Sequence, residues 1–446
     1  MITIFIIIFI GTSLILLIIV LNAYGKKKLE RALNYMKNGK YEDALIILKD
    51  LYSKNPGTKL YNWYIAQCYE NLGDLEMAIV EYQKVALSTE LPPPLSIVKV
   101  HEKLGLLNVK LGNLTKAKSE FSTVLSINPT DAMAHYYLGD IYYRENEYQK
   151  AIQHLEKAIQ YNDSIVDAYL KLGKLNYFLN HNEKAKRYLL QALRRDSSLA
   201  EAHFYYALLL EKDRVYDRSI EEFMEALKGD LYNFDCYYHL GNIYRDMGDV
   251  SKAVEHYEKA IEEGSDDVEK YLEAKYIYAD FLVHQGKLGR ALSLWREIHS
   301  VRPSYKDVDH KLKVYEEISK SDNLTKFVVS TKEEFLNIGK KILDVLNINV
   351  EKYTMLKDDL LEFVGKARIG KEEIYVVTHI AKWTILVGEL PIRELLEKMT
   401  DEGASRAIFI TSSDFTEKAY DLSRIRPLEL IPRNDLEKIL KRVFQN

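Results

Sequence analysis

From residue 26 to about residue 320, apolar side chains return every three, four and seven positions. These are the spacings that place them on one face of a helix. The stretch "AMAHYYLGDIYYRENEYQKAIQHLEKAI" shows the pattern. Tyr136, Leu138 and Tyr142 precede a polar turn, and Ala151, Leu155 and Ala158 follow it. Two amphipathic helices separated by a short polar break are therefore predicted. The pair repeats. Gly105, Gly139, Gly173, Ala207 and Gly241 stand 34 residues apart, and twelve residues after each comes Ala117, Ala151, Ala185, Ser219 or Ala253. Ala32 with Ala44 and Ala66 with Ala78 extend the series backward, and Ala279 with Ala291 extends it forward, making eight units. Insertions fall at "LPPPL" (91–95) and near 265–268, and Pro56, Pro129 and Pro303 sit at unit ends, where a helix must stop. The small residues predict close helix contacts, since a bulkier side chain there would overpack the seam at ~1–3 kcal/mol.

The pattern changes twice outside this region. Residues 2–22, "ITIFIIIFIGTSLILLIIVLN", carry no charge. As a helix they would span ~31 Å, close to a hydrocarbon core of ~30 Å. Lys26, Lys27 and Lys28 follow the span and no Lys or Arg precedes it. A cleaved signal peptide would want a basic start and a shorter apolar core. Residues 1–25 are thus expected to form a membrane anchor, with the C-terminal bulk on the cytoplasmic side of an inner membrane. After a polar break at 321–330, expected as a linker, helical and strand patterns alternate through 331–446. "KEEFLNIGKKILDVL" reads as helix, "DLLEFVGKAR" and "EEIYVVTHIAKW" as strands, and "LPIRELLEKMTDEG" as helix. "RAIFITSS" reads as strand, "TEKAYDLSR" as helix, "LELIP" as strand and "NDLEKILKRVF" as helix. The expected architecture is a mostly α repeat array with a capping helix near 306–320, preceded by one membrane helix and followed by a small α/β domain.

The 34-residue unit resembles the tetratricopeptide repeat (TPR), with a small residue at unit position 8, Ala at 20 and an apolar or aromatic residue at 24. Position 24 holds Leu48, Tyr82, Phe121, Leu155, Leu189, Phe223, Tyr257 and Trp295. The resemblance implies an α-solenoid in which Gly105, Ala117, Gly139, Ala151, Gly173, Ala185, Gly241 and Ala253 pack the repeats together. It also implies a groove for protein partners lined by positions 2, 5, 9 and 12. Those positions include Trp63, Tyr136, Asp140, Tyr143, Lys174, Tyr177, Phe204, Tyr238, Asn242, Arg245 and Tyr276. The alternative for each ring is packing against the adjacent helix. No run of three units carries the Lys/Asn set of repeat proteins that clamp acidic chaperone tails.

The tail, through "GASRAIFITSSDFTEKAYDLSR" and "LELIPRNDLEKIL", resembles the Mrr-type restriction endonuclease-like fold. An active member carries an Asp at the start of one strand and Glu/Gln-x-Lys on the next, the acids seating Mg²⁺. Asp359 fits the first position. Aligned through "EEIYVVTHI", the second acid and the lysine fall on Val377 and His379, and no Glu-x-Lys or Asp-x-Lys exists from 331 to 446. The expectation is a degenerate nuclease fold, with Asp359 and His379 as weak catalytic candidates and Mg²⁺ as cofactor only if a nuclease survives. Ser412, Ser413 and Asp414 are expected as turn and N-cap residues.

Composition narrows the classes further. With 62 basic and 66 acidic residues the net charge is −4, and residues 331–446 hold 19 Lys plus Arg against 20 Asp plus Glu. There is no basic excess for nucleic acid. Cys68 and Cys236 form no C-x-x-C pair, and the scattered His101, His135, His154, His203, His239 and His256 show no metal-ligand spacing. The function expected is a membrane-anchored scaffold for protein partners. The alternatives are a membrane-tethered Mg²⁺-dependent nuclease and an envelope-assembly regulator; the cysteine-rich module of similarly laid-out regulators is missing.

Overall fold

A 34-residue period needs a helix, a reversal, a second helix and a link, and each part has a visible physical cause. The computed structural model describes residues 24–88, 91, 95–369 and 372–445. By contacts the chain divides into two units, Met1–Leu231 and Tyr232–Asn446. Among the described residues the first contains six helix pairs. They are α1 (24–37) with α2 (Tyr41–Lys54), α3 (Lys59–Leu72) with α4 (Leu75–Ala86), and α5 (Ile97–Lys110) with α6 (Leu114–Ile127). Next come α7 (Ala132–Arg144) with α8 (Tyr148–Tyr161), α9 (Val166–Phe178) with α10 (Asn182–Arg195), and α11 (Ala200–Lys212) with α12 (Tyr216–Ala226). Asp74 and Asp131 cap α4 and α7 by accepting the Met77 and Ala134 N–H groups at 3.1 and 2.9 Å.

Every reversal inside a pair passes through one left-handed residue. In the first unit these are Gly39, Gly73, Gly112, Asn146, Asn180 and Arg214, with φ between 58° and 85°. Glycine and asparagine tolerate that conformation, whereas a long side chain pays for its Cβ.

Small residues decide how the pairs close. A Cβ built on Gly139 would lie 2.7 Å from Leu155 Cγ, one on Gly173 2.6 Å from Leu189, and one on Gly105 2.7 Å from the Phe121 ring. Unit position 8 is thus the seat on which the side chain at position 24 rests. Ala117, Ala151 and Ala185, at position 20, are fully buried in the same seams. In the sixth pair Ser219 replaces that alanine, and its hydroxyl donates to the Ala207 carbonyl at 2.9 Å.

The second unit starts with two more pairs, α13 (Asn233–Asp246) with α14 (Val250–Glu263) and α15 (Val268–His284) with α16 (Leu288–Val301). Gly241 seats Tyr257 at 2.7 Å, and Gly248 and Gly286 supply the left-handed turns. Then follow α17 (Val308–Ser319), α18 (Asp322–Val328), α19 (Lys332–Val345), β1 (Ile348–Lys357), β2 (Leu360–Ile369), β3 (Glu372–Ala381) and α20 (Glu389–Asp401). The chain ends with β4 (Arg406–Thr411), α21 (Glu417–Ile425), β5 (Leu428–Ile431) and α22 (Arg433–Gln445). The strands lie in the order β1-β2-β3-β4-β5, antiparallel through β3 and parallel from β3 to β5. One sheet face, through Leu361, Phe363, Val376 and Ile380, packs with residues of α19 and α22. The other, through Leu360, Val364, Val377 and Ala381, packs with Ile392 and Leu395 of α20 and Ala419 of α21.

Two expectations change here. The stretch 321–330 is not a linker. It holds α18, whose Leu324, Phe327 and Val328 are buried in a core that runs unbroken from Ala253 to Val443. The sheet also gains β1, which the sequence reading leaves unassigned. The expected anchor at 2–22 lies outside the described residues, and among those described no helix is long and apolar enough to cross a membrane.

Arg214 holds the left-handed turn that Gly or Asn holds elsewhere, with φ of 59°. Arg214→Gly relieves Cβ strain while loosening the unfolded chain, so it should raise stability by about 0.5–1 kcal/mol. A thermal melt of the variant checks this, and a lowered midpoint would refute it.

Candidate functional site

The residues expected to line a groove are nearly all engaged with their own chain. In the first unit Trp63 stands edge-on to Tyr82 at 5.1 Å. The Tyr136 hydroxyl reaches the Asp167 carboxylate of the next pair at 3.4 Å. Asp140 pairs with Arg144 at 2.9 Å and with Lys171 at 2.7 Å. Tyr143 lies under the Lys171 ammonium at 5.8 Å, Lys174 pairs with Glu201 at 2.5 Å, and Tyr177 meets Tyr205 edge-on at 5.3 Å. Phe204 and Asp140 are each only 6% exposed. Phe204 packs on Phe223 at 6.0 Å, so it belongs to the seam and not to an open surface.

In the second unit Tyr238 stacks on Phe234 at 6.3 Å. Asn242 accepts from the Tyr257 hydroxyl at 2.7 Å and from Arg245 at 3.3 Å, and Arg245 also pairs with Asp246 at 2.8 Å. The Tyr276 hydroxyl donates to Asp307 at 2.8 Å, with Lys311 over its ring at 4.3 Å. Charge on these faces is therefore largely neutralised from one pair to the next. What remains accessible is half-buried aromatic surface.

Sequence spacing hides the placement of the histidines. His135 and His154, 19 residues apart, bring their Nδ1 atoms to 3.0 Å across the seam between α7 and α8. Burial pushes both pKa values down, His154 to about 4. His101 with Glu120 and His203 with Glu222 repeat the same register, at 2.6 and 2.5 Å. These imidazoles are seam residues. Among the described residues, no group of three His, Cys, Asp or Glu side chains is gathered to hold a metal.

In the α/β region the two weak catalytic candidates do not converge. The β2–β3 register pairs Leu360 with Ala381 and Glu362 with His379. His379 and Glu362 sit on the α20 face, where Nε2 and Oε2 lie 3.2 Å apart and Lys398 approaches Glu362 at 3.6 Å. The hydrogen bond to His379 holds the Glu362 carboxyl below its ordinary range, against the opposing effect of burial. Asp359 continues the alternation of Leu361 and Phe363 and so belongs to the opposite, α19 face. Its carbonyl accepts the backbone N–H of Lys382 at 3.0 Å. Continuing the hairpin register thus sets Lys382 beside Asp359 and sets Ile380 two residues before it. The alignment onto Val377 and His379 is displaced by three residues, and the residue it misses is Lys382.

Lys382 is half-buried. Its Nζ donates to the Ser330 carbonyl at 2.5 Å and stands 5.1 Å from the Phe335 ring centre. Burial pushes its pKa down, with Asp359 and Asp358 acting the other way. Ile380, fully buried, offers no oxygen where a second acid would stand, and Asp358 pairs with Lys332 at 2.7 Å. That donor set does not fit Mg²⁺, which wants several hard oxygens in near-octahedral array.

The N-cap of α21 is Thr416, accepting the Ala419 N–H at 3.4 Å, not the Ser412–Asp414 run. Ser412 and Ser413 are buried instead. The Ser412 hydroxyl donates to the Trp383 carbonyl at 2.8 Å, and Asp414 accepts from the Phe415 N–H and the Tyr420 hydroxyl, both at 2.7 Å.

Comparison with known families agrees with this division. A model described as "Restriction endonuclease" matches residues 322–440. Tetratricopeptide-repeat models match 29–93, 98–131, 120–153, 139–180, 170–235 and 234–266. No curated protein matches the sequence significantly. Among solved structures, MamA from Desulfovibrio magneticus RS-1 is 21% identical, with 39% of this chain and 96% of that chain covered and a TM-score of 0.35. YrrB, described as a TPR protein with an unusual peptide-binding site, is 23% identical over 45% of this chain and 97% of its own, at 0.37. PilF from Pseudomonas aeruginosa is 17% identical over 48% and 96%, at 0.41. The chain carries tetratricopeptide repeats followed by a restriction endonuclease-like α/β region.

Proposed function

We propose that this protein is a membrane-anchored scaffold that holds protein segments along the first helices of its repeats, on the cytoplasmic side of an inner membrane. The observation that carries the reading is the succession of repeat matches from residue 29 to residue 266, a repeat type suited to protein interaction. The apolar run at 2–22 and the lysines after it support the anchoring. The paired charges on the inner helix faces favour a partner segment with apolar and uncharged polar side chains, held by rings such as Tyr136, Tyr143 and Tyr238. Rigid aromatic surface of that kind gives contact area at low entropic cost.

Crosslinking of the full chain in membranes, followed by mass spectrometry of the captured proteins, tests this. Tyr136→Ala and Tyr238→Ala should each reduce the same captured species, by about tenfold for a ring worth ~1.4 kcal/mol. Tyr136→Phe, which keeps the ring, should retain it. A capture pattern unchanged in both alanine variants contradicts the scaffold reading, and recovery of the chain in the soluble fraction contradicts the anchoring.

A second reading, a nuclease acting through the C-terminal region, has one observation in its favour: Asp359 and Lys382 come together at the same end of the sheet. The missing acid at Ile380 speaks against it. The full chain incubated with plasmid DNA and Mg²⁺ or Mn²⁺ should leave the DNA intact. Cutting that disappears in both Asp359→Ala and Lys382→Ala would reverse the order of the two readings.

A further inference from the structure

Within the second unit, α15 and α17 face the ends of β3, β4 and β5, and a cleft of about 580 Å³ lies between them. It continues past Thr384 and Leu386 into a smaller recess of about 340 Å³ bordered by Ser413 and Arg433. The C-terminal ends of parallel strands are where open α/β sheets receive ligands. Volumes of this order belong to small-molecule sites, which run about 300–1,000 Å³.

The chemistry of the lining is two-sided. Lys382 has three donors and one protein acceptor, the Ser330 carbonyl, and among the described residues no carboxylate forms an ion pair with it. Lys357 at the mouth is likewise without an ion pair among those residues. Asp359 is the carboxylate on this wall, while Asp414 in the recess is already satisfied by Phe415 and Tyr420. Ser413 is 4% exposed, and its hydroxyl has no partner among the described residues. The remaining lining is mixed, with His284 and Thr384 polar in the cleft, His310, Arg433 and Asn434 in the recess, and flat or apolar surface between. The Trp383 and Tyr315 rings line the cleft, and Ile385 and Leu386 stand 64% and 60% exposed at its lip. A half-buried ammonium short of acceptors calls for an anion, and unfilled aromatic walls call for a planar ring.

We propose that this cleft binds a small planar-ring anion of nucleoside-monophosphate size, its anionic group at Lys382 and Lys357 and its ring against Trp383 and Tyr315. Such a ligand touches both the last repeat helices and the sheet, so it stabilises their association by mass action. This goes beyond the scaffold reading and stands or falls independently of it.

The four ribonucleoside 5′-monophosphates, titrated into the full detergent-solubilised chain with calorimetric and thermal-shift readouts, provide the test. Adenosine and inorganic phosphate serve as the ring-only and anion-only arms. At least one monophosphate should bind about tenfold or more tightly than either fragment and raise the melting temperature. Lys382→Met should weaken the monophosphate about tenfold and leave adenosine unchanged, while Trp383→Leu should weaken adenosine and leave phosphate unchanged. Lys357→Met, at an exposed position, should weaken the monophosphate in the same direction. The proposal is overturned if no monophosphate outbinds both fragments, or if both lysine variants keep wild-type affinity.

Discussion

The interaction on which the helical part of this molecule depends is the seat that position 8 of each repeat offers to the side chain sixteen residues later. Gly105 under Phe121, Gly139 under Leu155, Gly173 under Leu189 and Gly241 under Tyr257 leave between 2.6 and 2.7 Å for a Cβ that is not there. Where the seat is alanine, as at Ala66 or Ala207, the residue is fully buried, and so is Tyr82 or Phe223 sixteen residues later. The two helices of a pair can close only to the distance this contact sets. The left-handed turn, the buried alanine at position 20 and the cross-pair contacts of Asp140 with Lys171 and of Lys174 with Glu201 all presuppose that spacing. A repeat cannot bury its apolar face alone, so each seat also supports its neighbours.

The same interlocking limits what the inner helix faces can offer a partner. Side chains chosen by repeat position as groove residues are spent largely on joining one pair to the next, and Phe204 and Asp140 are buried outright. In the C-terminal region the hairpin register sets Asp359 opposite Lys382, and the fully buried Ile380 two residues before the lysine offers no oxygen. Glu362, the acid carried by β2, points to the other face and is occupied by His379.

The helical half was legible because its signal is steric and periodic: small residues recur every 34 positions wherever helices touch. The turn residues were legible in the same register, though only the structure shows that Gly39, Asn146 and Arg214 share one conformation. What escaped the sequence has physical reasons. β1 is an edge strand, mostly exposed and charged along "INVEKYTMLK", with irregular register beside Val350 and Met355, so it lacks the alternation that marks a half-buried strand. α18 is seven residues long, too short for a helical period to stand out, yet it is packed through Leu324 and Phe327. Lys382 was missed because a hairpin's register is set by its turn and its cross-strand pairs, and a shift of a few residues along "EEIYVVTHIAKW" moves a site to the other face. The contact between His135 and His154 is a relation between two helices, and no spacing rule within one helix could reveal it.

Amide hydrogen exchange of α7 and α8 in Gly139→Ala and Gly139→Leu variants tests the seat most directly. Alanine occupies the equivalent position in other repeats, so Gly139→Ala should change protection by less than about tenfold, within ~1 kcal/mol. Gly139→Leu drives a branched side chain into Leu155 and should lower protection of both helices by about a hundredfold, the equivalent of ~3 kcal/mol. Wild-type protection in Gly139→Leu would contradict the account.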